Sequence, residues 1–184
     1  MTKWLPSLES CDSYLSERSG SYEYRAIRYR HTIKWMIENG LNDDMTVVDI
    51  GAGWTEFDYT LRKEFDWKGR YIPVDGGIDG SDLNAWTPPR EAHFFVALEI
   101  LEHLHDPIRL LNELKANAIK GVAISTPNPD TTDVLAMDQT HVIEVKRFML
   151  ESQGMQVSDE LFYGGVYSNG QKDNLFGTWL RDPK

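Results

Sequence analysis

The sequence predicts an α/β fold, a doubly wound and mostly parallel sheet, and three observations carry that expectation. From Thr46 to Phe57, TVVDIGAGWTEF, an apolar strand runs into a glycine turn that opens a helix, the junction at which parallel sheets hold nucleotide-like ligands. A second strand, RYIPVD, ends on Asp75 roughly twenty residues after that turn, a spacing from which a carboxylate reaches ribose hydroxyls. A third apolar run, His93 to Leu98, reads as a central strand buried on both faces.

The remaining elements follow in chain order. Residues 1–21 are polar, with no sustained period, and form a lead-in to a single domain over residues 22–184. Between Tyr22 and Glu38, the residues Tyr24, Ile27, Arg28, His31, Trp35 and Met36 recur at helical spacing, and Asn39-Gly40 supplies the stop. Arg25, Arg28 and Arg30 on this helix predict a solvated face; the alternative is a lid that offers a cation to a carboxylate or phosphate. Thr60 to Phe65 continue the helix opened at Glu56, and Gly69 separates it from the second strand. Asp75 to Pro89 is rich in glycine, aspartate and proline, a loop too short to hold both a helix and a full edge strand, so a sheet of six or seven strands is expected. Glu99 to Asn117 predicts a helix interrupted near Pro107, Gly121 to Ser125 the next strand, and Thr126-Pro127-Asn128-Pro129 a loop. Val145 to Gln153 predicts a helix, and Met155 to Tyr163 and Asn174 to Leu180 the closing strands, the last of them antiparallel.

Composition narrows the function classes. The formal charge of −10 supplies no general basic field, which disfavours nucleic acid and anionic membrane as partners. Cys11 is the only cysteine, so neither an internal disulfide nor a cysteine-based zinc cage can form, and a reducing compartment fits. No apolar run approaches the roughly 20 residues that span a bilayer, and the polar N-terminus lacks the apolar core of a signal peptide. Together these predict a cytoplasmic protein.

The motif set from Asp49-Ile50-Gly51-Ala52-Gly53 through Asp75, Asp82-Leu83, Ala97-Leu98-Glu99-Ile100-Leu101-Glu102-His103-Leu104 and Ser125-Thr126-Pro127-Asn128 resembles the class I S-adenosylmethionine-dependent methyltransferases over most of the chain. That resemblance implies a Rossmann-like sheet and a cofactor site. Gly51, Ala52 and Gly53 would meet the methionine moiety, with Asp49 positioning the turn or bonding the cofactor ammonium. Asp75 would accept from the ribose, Asp82 and the Leu83 amide would bracket the adenine edge, Trp86 or Ile78 would pack on its face, and the Leu98 carbonyl would lie near the sulfonium. Thr55 stands where a third glycine is usual. A dehydrogenase, the nearest rival, is disfavoured because the third glycine of its fingerprint is missing.

Glu99, Glu102 and His103 stand at i, i+3 and i+4, so a helix would place them on one face at the carboxyl end of the central strand, with His141 approaching from the following loop. The pattern is similar to metal-assisted O-methyltransferases of the ubiquinone pathway and small-RNA 2′-O-methyltransferases, which implies a divalent cation, Mg, Mn or Zn, held by Glu99, Glu102, His103 and His141. Without a metal, His103 is the expected general base. The expected activity is O-methylation of a small-molecule acceptor. The alternatives are a nucleotide or RNA-end 2′-O-methyltransferase and a non-catalytic cofactor-binding subunit. His105 and Asp106 read as loop residues before the next helical turn, and Phe162, Tyr163 and Tyr167 as core or acceptor-pocket aromatics.

Overall fold

The computed structural model describes residues 19–88 and 90–182, so most of the polar lead-in lies outside the described residues. Helix α1 (Ser19–Glu38) precedes β1 (Thr46–Ile50), α2 (Glu56–Phe65) and β2 (Arg70–Val74). After a long loop come β3 (Ala92–Leu98), a short 3-10 turn (Leu101–His103), α3 (Pro107–Asn117) and β4 (Ala118–Pro127). The chain closes with α4 (Val134–Met137), α5 (Arg147–Glu151), β5 (Gln156–Glu160) and β6 (Asn174–Leu180). The six strands form one sheet in the order β2-β1-β3-β4-β6-β5. Strands β1 to β4 pair in parallel, and β6 runs antiparallel to both of its neighbours.

The period-2 alternation of strand side chains divides the core into two layers. Val47, Phe94, Val96, Leu98 and Ala123 face Ile33 and Met36 of α1 and Phe57 and Leu61 of α2. Val48, Phe95, Ala97, Val122 and Ile124 face Leu110, Leu111 and Leu114 of α3 and Leu150 of α5. Both faces of β3 are therefore covered, which is why AHFFVAL reads as a continuous apolar run.

Several boundaries differ from expectation. The buried stripe of α1 runs through Tyr22, Ala26, Ile33 and Met36, whereas Tyr24 and Ile27 are exposed. The arginines form a solvated face only in part: Arg28 is buried, whereas Arg25 and Arg30 stay partly exposed and pair with Glu56 and Glu64. The helix expected from Glu99 begins only at Pro107, where Asp106 caps it by accepting from the Arg109 amide. Strand β4 continues through Pro127, because Thr126 and Pro127 still face Leu175 and Asn174 of β6. Strand β5 ends at Glu160, before Phe162 and Tyr163 turn inward. Among the described residues no strand or helix lies within 75–91, and β2 stands at the sheet edge. Among the described residues no helix is long and apolar enough to cross a membrane.

Candidate functional site

A cavity of about 340 Å³ opens at the carboxyl ends of β1 and β3, between the glycine turn and α1. The turn needs its glycines for different reasons. At Gly51 φ is +71°, and a Cβ would sit 1.8 Å from Ile100 Cδ1. Gly53 is also left-handed at φ +49°, yet a Cβ there would meet nothing within 4 Å, which leaves room for a ligand to approach its backbone. Thr55 adopts φ +59°, so the left-handed geometry of the absent third glycine persists in a β-branched residue. The turn is tied to β2 by the Gly51 amide donating to the Val74 carbonyl and by the Gly53 amide donating to Asp75 Oδ2.

Asp49 lies on the cavity wall, buried, and accepts a 2.5 Å hydrogen bond from Tyr71 Oη. Burial pushes its pKa up to about 7, and the nearby carboxylates of Asp58 and Asp75 add to the rise, while the Tyr71 hydrogen bond opposes it. Asp75 joins the glycine turn to the following loop, since its other oxygen accepts from the Gly77 amide. Asp82 and Leu83 do not line the cavity. Asp82 Oδ1 accepts from the Asn84 amide in an Asx turn, and Arg109 of α3 clamps the loop by donating to the carbonyls of Leu83 and Trp86. Trp86 is turned toward the sheet beside Val48, Ile72 and Phe95.

On the opposite wall Glu99 departs from helical geometry altogether, with φ +60°. A non-glycine residue held there stores roughly 1–3 kcal/mol that the surroundings must offset. Three hydrogen bonds hold this carboxylate: Oε1 accepts from Ser125 Oγ at 2.6 Å and Asn174 Nδ2 at 2.9 Å, and Oε2 accepts from Tyr163 Oη at 2.5 Å. Tyr163 is itself placed by Asp173, a fully buried carboxylate that accepts from the amides of Phe162, Tyr163 and Gly165. Arg28 Nη1 donates to Tyr163 Oη at 3.3 Å, its guanidinium lies over the Tyr29 and Tyr163 rings, and its buried Nε has no partner. Burial works against the Arg28 charge, but Tyr163, Tyr29, Glu99 and Glu102 outweigh it and hold the group cationic.

The expected shared face of Glu99, Glu102 and His103 does not form, because residues 101–103 make a 3-10 turn and Glu99 lies outside it. Ligand atoms of Glu102, His103 and His141 nevertheless gather within 4.8 Å of one another, which narrows the expected set of four to three. Glu102 is fully buried; Oε2 accepts from Thr126 Oγ1 while Oε1 has no partner. Burial first, and Glu99 second, push its pKa well above the ordinary carboxylate range. The main chain of the His141 loop docks on the turn through the Val142 amide, which donates to the Glu102 carbonyl. His141 Nδ1 contacts the Val134 carbonyl at 2.6 Å, and His103 Nδ1 contacts the Thr140 carbonyl and hydroxyl. A carbonyl only accepts, so each Nδ1 carries a proton, and in the neutral ring Nε2 is the nitrogen with the lone pair. The two rings are 4.7 Å apart, centroid to centroid. One unpartnered carboxylate oxygen and two oriented imidazoles fit the donor chemistry of a divalent cation.

Comparison with protein-family models gives no match, and comparison with curated proteins gives none. Solved structures do match. A SAM-dependent methyltransferase from Archaeoglobus fulgidus aligns with a TM-score of 0.63 and 19% identity, over 91% of this chain and 98% of that one. The small RNA methyltransferase HEN1 aligns with a TM-score of 0.64 and 15% identity, over 86% of this chain and 25% of that one. The plantazolicin methyltransferase BpumL, in complex with SAH, aligns with a TM-score of 0.60 and 11% identity, over 94% and 89% of the two chains. The chain has the class I methyltransferase fold.

Within that methyltransferase fold, Asp49, Gly51, Ala52, Gly53 and Leu98 line one cavity, and Asp75 abuts it through Gly53. Glu99 lines the same cavity, whereas Glu102, His103 and His141 gather just beyond it. Sequence reasoning missed Tyr71, Glu56, Arg109 and Asp173. Only Tyr71 carried a signal, as a polar aromatic in register with Val47 on β1, two residues before Asp49. Phe162 belongs to the core, Tyr163 to the polar network, and Tyr167 is exposed.

Proposed function

We propose that this protein is an S-adenosylmethionine-dependent methyltransferase that methylates an oxygen of a small molecule, assisted by a divalent cation at Glu102, His103 and His141. The observations that carry the cation are the buried, unpartnered Oε1 of Glu102 and the gathering of this side chain with two imidazoles whose Nδ1 atoms are already fixed. Such a cation would lower the pKa of an acceptor hydroxyl and orient it. The glycine turn and Asp49 bind the amino-acid end of the cofactor, Asp75 the ribose, and the Arg109-clamped loop at Asp82-Leu83 the adenine edge. Leu98 and Ile100 line the same cavity. The sulfonium is an activated donor, so the chain has to align and deprotonate, work that proximity effects reward strongly. His103 and His141 keep Nε2 lone pairs that hold either the cation or, in its absence, a proton.

The test is methyl transfer to catechol-type acceptors with Mg²⁺, Mn²⁺ or Zn²⁺, before and after chelation. Activity that disappears with chelator and in Glu102→Ala, while SAH affinity stays within about threefold, supports the proposal. Undiminished transfer under both treatments refutes the metal; SAH binding without transfer to any acceptor, partner present, supports a non-catalytic subunit. The same three ligands suit the vicinal hydroxyls of a ribose end, and HEN1 is a small RNA methyltransferase. The charge of −10 opposes a long polyanion, which is why a small acceptor is preferred.

A further inference from the structure

The two imidazoles beside Glu102 are held in different ways. His141 leans on the main chain, where its Nδ1 meets the carbonyl of the fully buried Val134 at 2.6 Å. His103 depends on a side chain. Its Nδ1 lies 3.0 Å from Thr140 Oγ1 and 3.2 Å from the Thr140 carbonyl, and Thr140 Oγ1 in turn donates to Asp138 Oδ1 at 2.7 Å. A hydroxyl has one proton and a carboxylate only accepts, so the Thr140 proton is committed to Asp138 and its lone pairs are what the ring meets. Both oxygens of Thr140 therefore act as acceptors toward His103, which makes Nδ1 the donor and turns the lone-pair nitrogen away from them. The same Asp138 oxygen accepts from the Thr140 amide at 2.8 Å, an Asx turn that fixes where the hydroxyl stands. Asp138 and Thr140 are exposed, so core packing does not account for this arrangement.

We infer that Asp138 and Thr140 are positioning residues for His103, a carboxylate-hydroxyl-imidazole relay that presets this ring as a ligand, an assignment that rests on the reading of Glu102, His103 and His141 as the cation site. A ligand imidazole whose second nitrogen already donates to an anchored acceptor has its tautomer and orientation fixed before the cation arrives. Tying the acceptor hydroxyl to a carboxylate polarises it and strengthens its bond to the ring. Thr140 immediately precedes His141, so one short segment supplies one ligand and orients the other. Asp138 acts on the cation only through the Thr140 hydroxyl, and that dependence is what separates a relay from a charge that happens to lie nearby.

The Zn²⁺ affinity of the whole chain, measured by competition with a chromophoric chelator, tests the relay in Thr140→Val, Thr140→Ser, Asp138→Asn and the double variant. Thr140→Val removes the hydroxyl at nearly constant shape and should weaken Zn²⁺ binding about tenfold, the low end for an outer-shell partner because the Thr140 carbonyl remains. Thr140→Ser restores the hydroxyl and should bind like the wild type. Asp138→Asn keeps an oxygen for the turn but removes the charge, and should weaken binding about threefold in the wild-type background and not at all in the Thr140→Val background. A Thr140→Val affinity within about twofold of the wild type overturns the assignment, and so does a Thr140→Ser protein no better than Thr140→Val. An Asp138→Asn loss that is absent from the wild-type background, or equal in both, overturns the relay. A wild type that does not bind Zn²⁺, or binds it equally in Glu102→Ala and His141→Ala, overturns the cation reading itself, and the relay with it.

Discussion

Cofactor affinity should depend on pH through Asp49. In the free protein this carboxylate titrates at about 7 because it is buried, and a cofactor ammonium would require it ionised. Its ionised fraction is about one in ten at pH 6 and about one in a hundred at pH 5, so affinity should fall about tenfold per unit below 7 and level off above about pH 8. The sign for stability is opposite. The folded pKa lies above the unfolded value of 3.8, so the folded state binds the extra proton between those two values. The stabilisation is complete below pH 4 and is lost as pH rises to 7, an effect on the order of 4 kcal/mol at most. Tyr71 donates to the charged carboxylate and holds its pKa down. Tyr71→Phe should therefore move the affinity midpoint upward by roughly one pH unit, since a hydrogen bond to a charged group contributes about 1.5–3 kcal/mol. Calorimetric titration with S-adenosylhomocysteine from pH 5 to 9 at constant ionic strength measures both. Affinity independent of pH, or a midpoint that falls in Tyr71→Phe, would refute the reasoning.

Three further outcomes follow from single contacts. Gly51→Ala should destabilise the fold by about 3 kcal/mol or more and abolish nucleoside binding, because its Cβ collides with Ile100, whereas Gly53→Ala adds only left-handed strain, about 1 kcal/mol; thermal melts of the pair separate collision from strain. Asp173→Ala leaves the amides of Phe162, Tyr163 and Gly165 without their acceptor and should cost on the order of 3 kcal/mol by urea unfolding, with Asp173→Asn recovering part. Arg109→Met releases the Leu83 and Trp86 carbonyls and should weaken S-adenosylhomocysteine binding about tenfold while moving stability by only about 1 kcal/mol; equal binding would detach this loop from the adenine site.

Features that depend on apolar burial were legible in the sequence, and features that depend on buried polarity were not. Val47, Val48 and Ile50 must be covered on both faces of a parallel sheet, so their run in the sequence identifies β1 without tertiary information. The missing edge strand was equally readable, because Gly76, Gly77, Gly80 and Pro88 leave no stretch that could form one. On α1 the same logic fails. Tyr24 and Ile27 look like core and are exposed, while Arg28 and Thr32 look like surface and are buried. Periodicity scores an arginine as outward-facing, and only tertiary partners such as the Tyr163 hydroxyl, 135 residues away in the chain, and the nearby Glu99 explain why this one points in.

Glu99 illustrates the same limit at the site. Spacing at i, i+3 and i+4 implies a common face only if all the residues have helical dihedrals, and Glu99 has φ +60°. The reversal comes from the far side of the sheet, where Ser125 on β4, Asn174 on β6 and Tyr163 in the intervening loop capture the carboxylate. Those partners convert Glu99 from a free ligand into the bracket that joins three segments behind the cavity. They also leave Glu102 as the one carboxylate of the pair with an oxygen to spare. The two acids, three residues apart and chemically equivalent in the sequence, thus take different work: one organises the wall around Arg28, and the other faces the two histidines.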